Sequence, residues 1–275
     1  QWVGQFIAAD GQLQDSIEIS PPTDLWGPPA LAWNGANYLL VTGGADAFGM
    51  RTQRISPTGV VLDPYPGNDF APDGINRAIA AGDGKWRAVY RRTSVPGSLF
   101  GTLISASGVA GAGFVIATGV ADFAQPAVAF DGTNFLVAWE SGVGSAAPAA
   151  TDVYARRVSP VGVLLDAVPF AVSTAPEAQW WPQVACDASN CLIAWVDRRA
   201  YPGQPYNVDP GPGDMYGAFV TRDGMVLNGD PATGGLAIAT GISANAGYPG
   251  LAFNGAEYVL AWSRGAFLNN PGGPT

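Results

Sequence analysis

The sequence predicts an all-β fold built from repeated four-stranded antiparallel sheets, on the basis of two sets of landmarks and their order. Residues 125–173 form four short β-rich runs joined by turns, and versions of this stretch recur along the chain. One set of landmarks is an alanine just before a turn, at Ala32, Ala80, Ala129, Ala185 and Ala252. The other is a hairpin-turn glycine of positive φ, at Gly11, Gly59, Gly108, Gly162 and Gly224. Both sets give five sheets.

The order of these landmarks predicts a closed ring. Gly11 precedes the first alanine landmark, whereas no turn of the glycine type follows Ala252. Residues 1–20 therefore supply the second half of a sheet whose first half lies at the C-terminal end. The prediction is a single domain over residues 1–275, a five-bladed β-propeller whose N-terminal strands complete the C-terminal blade. Its blades span approximately residues 24–66, 72–119, 122–174, 177–241, and 245–268 together with 1–20.

The inner hairpin of most blades is predicted to close with a cross-strand pair. Three of these pairs are aromatic: Trp33 with Tyr38, Phe130 with Phe135, and Phe253 with Tyr258. Cys186 and Cys191 occupy the same two positions in the fourth blade, where neighbouring antiparallel strands bring them within reach of a disulfide. A disulfide indicates an oxidising compartment, so an extracellular or periplasmic location is expected. The alternative is two unpaired buried thiols in a cytosolic protein.

The composition excludes several classes of function. The chain has a net charge of −9 and one lysine, Lys85, which argues against a nucleic-acid partner. It contains no run of 18 apolar residues, so no membrane-spanning helix is expected. The sequence has no histidine, which excludes Ser-His-Asp and Cys-His catalysis and histidine-ligated zinc. Carboxylate chemistry is the remaining enzymatic route.

The repeat pattern P-x-V-A-x-D-G-x-N-[FY]-L-V-A-W, followed by [DV]-[VM]-Y-[AG]-x-x-V-[ST]-x-x-G-x-[VL]-L, covers nearly the whole chain. It resembles the repeat of secreted bacterial β-propeller proteins with blades of roughly 50 residues. The resemblance implies an extracellular or surface-attached binding scaffold and no single activity. The sialidase Asp-box, the WD dipeptide, the kelch double glycine and the DxDxDG calcium loop are absent from the sequence.

In a propeller, the loops before each innermost strand and the loops between the second and third strands emerge on one face, where a ligand is expected. Aromatic residues in these loops are the first candidates, because flat rings stack on sugars or anchor a protein partner. They are Trp26, Phe123, Trp180, Trp181, Tyr201, Tyr206 and Tyr248. The alternative is that the rings plug the mouth of the central channel.

Arginines on the same face are further candidates. Arg77 replaces the proline that begins the innermost strand of other blades, and it is expected to project into the channel mouth. Arg198 and Arg199, and Arg91 and Arg92 in the second blade, are candidates to clamp an anion. The alternative for these pairs is a structural salt bridge with acidic neighbours.

Four acidic residues precede the innermost strands at similar positions: Asp24, Asp73, Asp122 and Glu177. Such a ring of carboxylates suits a hard cation such as calcium, or the paired carboxylates of a glycoside hydrolase. The alternative is that they cap turns through their own backbone. No cofactor is expected apart from this calcium.

The sequence therefore favours a binding or interaction module that uses the loop-bearing face, with a glycan or a partner protein as ligand. Two alternatives remain open. One is a five-bladed glycoside hydrolase that uses the four carboxylates. The other is a structural subunit of a surface or filament assembly.

Overall fold

The computed structural model describes residues 3–8, 10–19, 29–43, 49–64, 67–142, 151–203, 213–241 and 246–264. Every helix or strand in these ranges is a β-strand, and the strands form antiparallel sheets. Asp24, Trp26 and Tyr206 lie outside the described residues. No helix in the described part of the chain is long and apolar enough to cross a membrane.

Sixteen of the strands form four complete sheets, each a meander of four consecutive strands. Blade 1 contains β3 (Ala30–Trp33), β4 (Tyr38–Gly43), β5 (Met50–Ile55) and β6 (Asn68–Phe70). Blade 2 contains β7 (Gly74–Gly82), β8 (Lys85–Arg92), β9 (Ser98–Ile104) and β10 (Phe114–Thr118). Blade 3 contains β11 (Ala127–Phe130), β12 (Phe135–Ser141), β13 (Asp152–Val158) and β14 (Phe170–Ser173). Blade 4 contains β15 (Gln179–Cys186), β16 (Asn190–Asp197), β17 (Asp214–Thr221) and β18 (Leu236–Ala239). Blade 1 thus extends past residue 66, where the sequence placed its end.

The other four strands form two hairpins. The N-terminal hairpin pairs β1 (Val3–Ile7) with β2 (Leu13–Glu18), and the C-terminal hairpin pairs β19 (Ala246–Phe253) with β20 (Tyr258–Arg264). The N-terminal hairpin packs on blade 1, where the ring centroids of Phe6 and Tyr38 are 5.8 Å apart. The C-terminal hairpin packs on blade 4, where the ring centroids of Phe219 and Tyr258 are 5.6 Å apart.

The two hairpins remain separate two-stranded sheets, with no β1–β20 ladder in the described part of the chain. The structure therefore shows an all-β arrangement of four-stranded propeller blades. The fifth blade and the closure of the ring stay predictions.

The inner hairpins close as the sequence predicts. Trp33 pairs with Tyr38, Phe130 with Phe135 and Phe253 with Tyr258, with ring centroids 4.7–4.8 Å apart. Cys186 and Cys191 are opposite each other in the same way and form a disulfide. The five predicted turn glycines have φ between 83° and 92°, a region that side chains other than glycine rarely adopt.

The core lies between the blades. Trp139 of blade 3 is 1% exposed and belongs to a cluster with Leu99 and Ile116 of blade 2. Trp195 of blade 4 is fully buried in a cluster with Val153 of blade 3. Because these large side chains fill the spaces between successive sheets, the blades pack side by side and their innermost strands converge.

Candidate ligand-binding site

The innermost strands of the four blades surround a cavity of about 300 Å³. Most of its wall is alanine and larger aliphatic side chains from β3, β7, β11 and β15. Its polar side chains are Asn76, Arg77, Gln125 and Gln183. Arg77 is the charged member of this lining. The surface that these residues expose to the cavity is nevertheless more polar than apolar, which suits a polar ligand.

Equivalent residues of successive sheets stand where the innermost strands begin, and two of them, Asn76 and Gln125, line the cavity. β7, β15 and β19 each have a bulge where the strand begins, shown by register shifts at 75–77, 180–183 and 247–250. The bulged residues Asn76, Trp181 and Tyr248 have φ of 43°, 52° and 50°. Gln125 stands two residues before Ala127, as Trp181 stands two before Gln183. We call Asn76, Gln125, Trp181 and Tyr248 the rim residues. Bulges are common next to binding sites because they re-aim a side chain.

Half of the rim is aromatic. The rings of Trp181 and Tyr248 are stacked, with centroids 4.8 Å apart and an interplanar angle of 13°. Tyr248 is 53% exposed, so the stack presents ring surface to solvent. Two predicted ligand residues lie below this surface: Trp180 is 7% exposed, and the fully buried Arg198 has its guanidinium carbon 5.0 Å from the Trp180 ring centroid. The structure places Trp180 and Arg198 in the interior, where they support the aromatic pair.

The other half of the rim carries amides. The Nδ2 atom of Asn76 donates to the Ala124 carbonyl at 2.9 Å, which ties blade 2 to blade 3. Gln125 is exposed. Beside Asn76, the Nε atom of Arg77 donates to the Val41 carbonyl of β4 at 3.3 Å, and its Nη1 atom donates to the Gly43 carbonyl. Burial lowers the pKa of the Arg77 guanidinium.

Glu140, at the end of β12, holds two rim residues through their backbone. Its Oε2 atom accepts a hydrogen bond from the Gln125 N–H at 2.9 Å, and its Oε1 atom accepts one from the Trp181 N–H at 2.7 Å. Glu140 is fully buried, and burial raises its pKa to about 7, against the opposing effect of the two backbone bonds and of Arg91. Glu140 was not among the site residues predicted from the sequence.

Two members of the predicted acidic ring are paired with arginines in the described part of the chain. The Asp73 carboxylate accepts a bond from Arg92 Nε at 2.6 Å, and Asp122 pairs with Arg91 at 3.3 Å. Although burial acts to raise the pKa of Asp73, hydrogen bonds from Ser94 and Arg92 outweigh it, and the pKa is lowered. Glu177 has a φ of 65°. The described residues contain no group of three acidic or cysteine side chains placed to hold a metal ion.

The remaining candidates on this face lie outside the rim. The Tyr201 hydroxyl donates to Asp214 Oδ1 at 3.0 Å, and burial together with this carboxylate raises the Tyr201 pKa to about 12. Arg199 forms a salt bridge with the fully buried Asp197 at 2.7 Å. Phe123 is 39% exposed.

These blades and their converging inner strands define the chain as an all-β protein of the β-propeller type. No family model matches the chain, and no match was found among curated proteins. Among solved structures, it is similar to TolB from Acinetobacter baumannii, at 13% identity and a TM-score of 0.46 over 94% of this chain and 56% of that chain. The chain thus spans little more than half of the TolB chain.

Two other similar solved structures are a glycoside hydrolase and an arabinofuranosidase. A thermostable family-43 glycoside hydrolase is 12% identical, with a TM-score of 0.47 over 89% of this chain and 86% of that chain. An α-L-arabinofuranosidase from Clostridium thermocellum is 13% identical, with a TM-score of 0.44 over 76% of this chain and 73% of that chain. At these values the similarities assign no activity to this chain.

Proposed function

We propose that the chain is an extracellular or periplasmic binding module that takes a glycan at its rim and cavity. The observation that carries the proposal is the exposed Trp181–Tyr248 stack on the same rim as the amides of Asn76 and Gln125. The apolar face of a sugar ring packs on aromatic rings, and its hydroxyls pair with amide donors and acceptors. Glu140 fixes two of the four rim residues, which lowers the entropy cost of binding.

The Cys186–Cys191 disulfide supports the proposed compartment. Disulfides persist in secreted and periplasmic proteins and are rare in the reducing cytosol. This support is independent of the rim, because the disulfide closes the inner hairpin of blade 4 at the opposite end of β15.

A glycan array, probed with and without calcium, tests the proposal. Trp181→Ala and Tyr248→Ala should each weaken binding by at least about tenfold, since one stacked ring contributes on the order of 1 kcal/mol beyond its buried area. Trp33→Ala is the matched control, because Trp33 is also an exposed tryptophan but lies at the closing pair of the blade 1 hairpin. The absence of glycan binding, or binding that both rim variants retain, would contradict the proposal.

Glycoside hydrolysis through Asp24, Asp73, Asp122 and Glu177 is the enzymatic alternative. A general acid for this reaction needs a raised pKa and access to the glycosidic oxygen. Glu140 has the raised pKa but is fully buried, and Asp73 and Asp122 are paired with arginines. Sugar release from a polysaccharide panel, lost in Asp122→Asn, would replace the binding proposal with the enzymatic one.

We also propose that β20 and β1 pair to close a five-bladed ring. In every complete blade, the second residue of the closing pair, at the start of the second strand, pairs with a residue at the end of the third strand. That third-strand residue also forms a β-bridge with the residue six positions further along the chain. In blade 3 these are Phe135, Val158 and Leu164. Tyr258 corresponds to Phe135, and Ile7, which pairs with Leu13, corresponds to Val158.

The same rule predicts that Tyr258 faces Ile7 and Leu260 faces Gln5. The packing of the N-terminal hairpin supports this register. Phe6 and Ile17 lie against the Gly59 turn of blade 1, as Arg54 lies against the Gly108 turn of blade 2 and Arg157 against the Gly224 turn of blade 4. Each contacting side chain belongs to the residue immediately before the one that forms the β-bridge, as is seen for Phe6, Arg54 and Arg157. The hairpin thus lies against blade 1 in the way that outer strands of one blade lie against the next.

A further inference from the structure

The start of the innermost strand differs in blade 2. The equivalent residue is a proline in the other sheets, at Pro29, Pro126, Pro182 and Pro249, and an arginine, Arg77, in blade 2. Because proline occupies this position in the other sheets, the backbone conformation here does not depend on an arginine side chain. At this position, the Arg77 side chain is therefore the feature that distinguishes blade 2 from the other blades.

The Arg77 guanidinium is held in a fixed place on the cavity wall. Its bonds to the Val41 and Gly43 carbonyls span the gap between blades 2 and 1. Asn76, the neighbouring rim residue, spans the gap between blades 2 and 3 through the Ala124 carbonyl. The Arg77 cation is thus held against blade 1, next to an amide that is held against blade 3, and both are positioned before any ligand arrives.

The charged side chain of the described cavity lining is a cation. The cavity lining carries one positive charge, that of Arg77, and no carboxylate among its described residues. The two described acidic residues that precede the inner strands of blades 2 and 3 have their own cations: Asp73 has Arg92, and Asp122 has Arg91.

We propose that the glycan bound at the rim is acidic, with a uronic acid residue whose carboxylate enters the cavity at Arg77. The carboxylate forms a charge-assisted hydrogen bond with the guanidinium, and the amides of Asn76 and Gln183 serve the neighbouring hydroxyls. The next sugar ring along the chain packs on the Trp181–Tyr248 stack. This inference rests on the proposed glycan-binding function and specifies the ligand of the same site.

Isothermal titration with uronate oligosaccharides tests the inference. The probes are tetramers of galacturonate, glucuronate and mannuronate, each compared with its fully methyl-esterified form, which keeps the ring hydroxyls and removes the charge. We expect the wild type to bind at least one acid form about tenfold or more tighter than its ester, with a preference that falls as salt is added. Arg77→Pro, which restores the residue of the other blades, should remove the preference and leave ester binding within about twofold.

Arg222→Gln is the matched control, because Arg222 donates to the Asp131 carbonyl at 2.8 Å in the turns at the other end of the blades. It should keep the wild-type preference. If glycans bind but every acid and its ester bind equally, or if Arg77→Pro keeps the preference, the acidic-ligand inference is wrong and the glycan-binding proposal stands. If neither these probes nor any array glycan binds, both proposals fail.

Discussion

The Oε1 atom of Glu140 in blade 3 accepts a hydrogen bond from the backbone N–H of Trp181 in blade 4 at 2.7 Å. The second carboxylate oxygen accepts the N–H of Gln125 in blade 3, so one buried side chain joins equivalent rim positions of two neighbouring blades. Trp181 has a φ of 52°, which is unfavourable for a residue with a Cβ atom. A strong acceptor at its N–H therefore helps to hold a conformation that the local sequence disfavours.

Glu140→Gln should release one of these two N–H groups. An amide offers one acceptor oxygen, and its NH₂ group faces the second N–H donor. We expect the amide exchange of either Gln125 or Trp181 to speed up by about tenfold, the equivalent of one lost hydrogen bond. Site-resolved hydrogen exchange by NMR at pH 8, where the Glu140 carboxyl is ionised, measures this. The Ala121 N–H, which donates to the backbone carbonyl of Glu140, is the internal control and should not change.

The buried carboxyl of Glu140 should also make stability depend on pH. Burial raises its pKa from 4.5 to about 7, with Arg91 as the facing cation and Asp122 behind it. Between these values the folded protein keeps a proton that the unfolded chain releases, so the free energy of unfolding falls as pH rises through this window. The full difference is on the order of 3 kcal/mol.

Urea unfolding of the wild type and Glu140→Gln between pH 5 and 8 measures this effect. The wild type should lose stability toward pH 8, and the variant should lose most of that slope. Asp73 and Asp187, whose pKa values are lowered, act in the opposite direction, and their stabilisation is lost only as pH falls into the ordinary range of aspartate. Equal slopes in the two proteins would contradict this role of Glu140.

Local repeats made much of the fold predictable. The closing pairs, such as Phe130 with Phe135, and the turn glycines recur in the same order in successive blades, so one blade predicts the others. The Cys186–Cys191 disulfide followed from the same alignment. The order of the landmarks predicts that β1 pairs with β20, but these strands lie more than 200 positions apart, and no local spacing fixes their register.

The candidate site was predictable only in part. Trp181 and Tyr248 were predicted from the sequence as exposed aromatic candidates. Their stacking depends on two bulges with positive φ, which neither residue type indicates. Glu140 follows Trp139 at the end of the second strand, and the equivalent residues in the other sheets are Gly43, Arg91, Val196 and Ser263. The carboxylate at this position was the sequence signal that could have identified Glu140. Its role arises from contact between two blades, which a single repeat does not contain.

Arg87 in β8 occupies a position that is leucine in blades 1, 3 and 4, at Leu39, Leu136 and Leu192. It is fully buried, and its Nε and Nη1 atoms have no hydrogen-bond partner among the described residues. Burial lowers its pKa to about 10. Replacing such a charge with an apolar side chain commonly stabilises a protein, so Arg87→Leu should raise the free energy of unfolding by about 1 kcal/mol or more.

Urea denaturation of Arg87→Leu and of the reverse change, Leu136→Arg, checks this prediction. Leu136→Arg should lower stability, because it places a cation in the apolar cluster between blades 3 and 4. The Nη2 atom of Arg87 donates to the carbonyls of Ser159 and Pro160 at 3.1 and 3.2 Å. A loss of stability in Arg87→Leu would mean that these bonds to blade 3 outweigh the cost of burying the charge.

The proposed register of ring closure can be tested with a cross-link, because it places Gln5 of β1 opposite Leu260 of β20. In Gln5→Cys combined with Leu260→Cys, mild oxidation should form a second disulfide, seen by intact mass and peptide mapping. In the chain-entropy model, a loop of this length stabilises the fold by on the order of 5 kcal/mol. Gln5→Cys combined with Ala261→Cys is the control, since a shift of one residue points the two thiols to opposite faces of the sheet. Cross-linking in the control alone, or in neither protein, would show that β1 and β20 do not pair in this register.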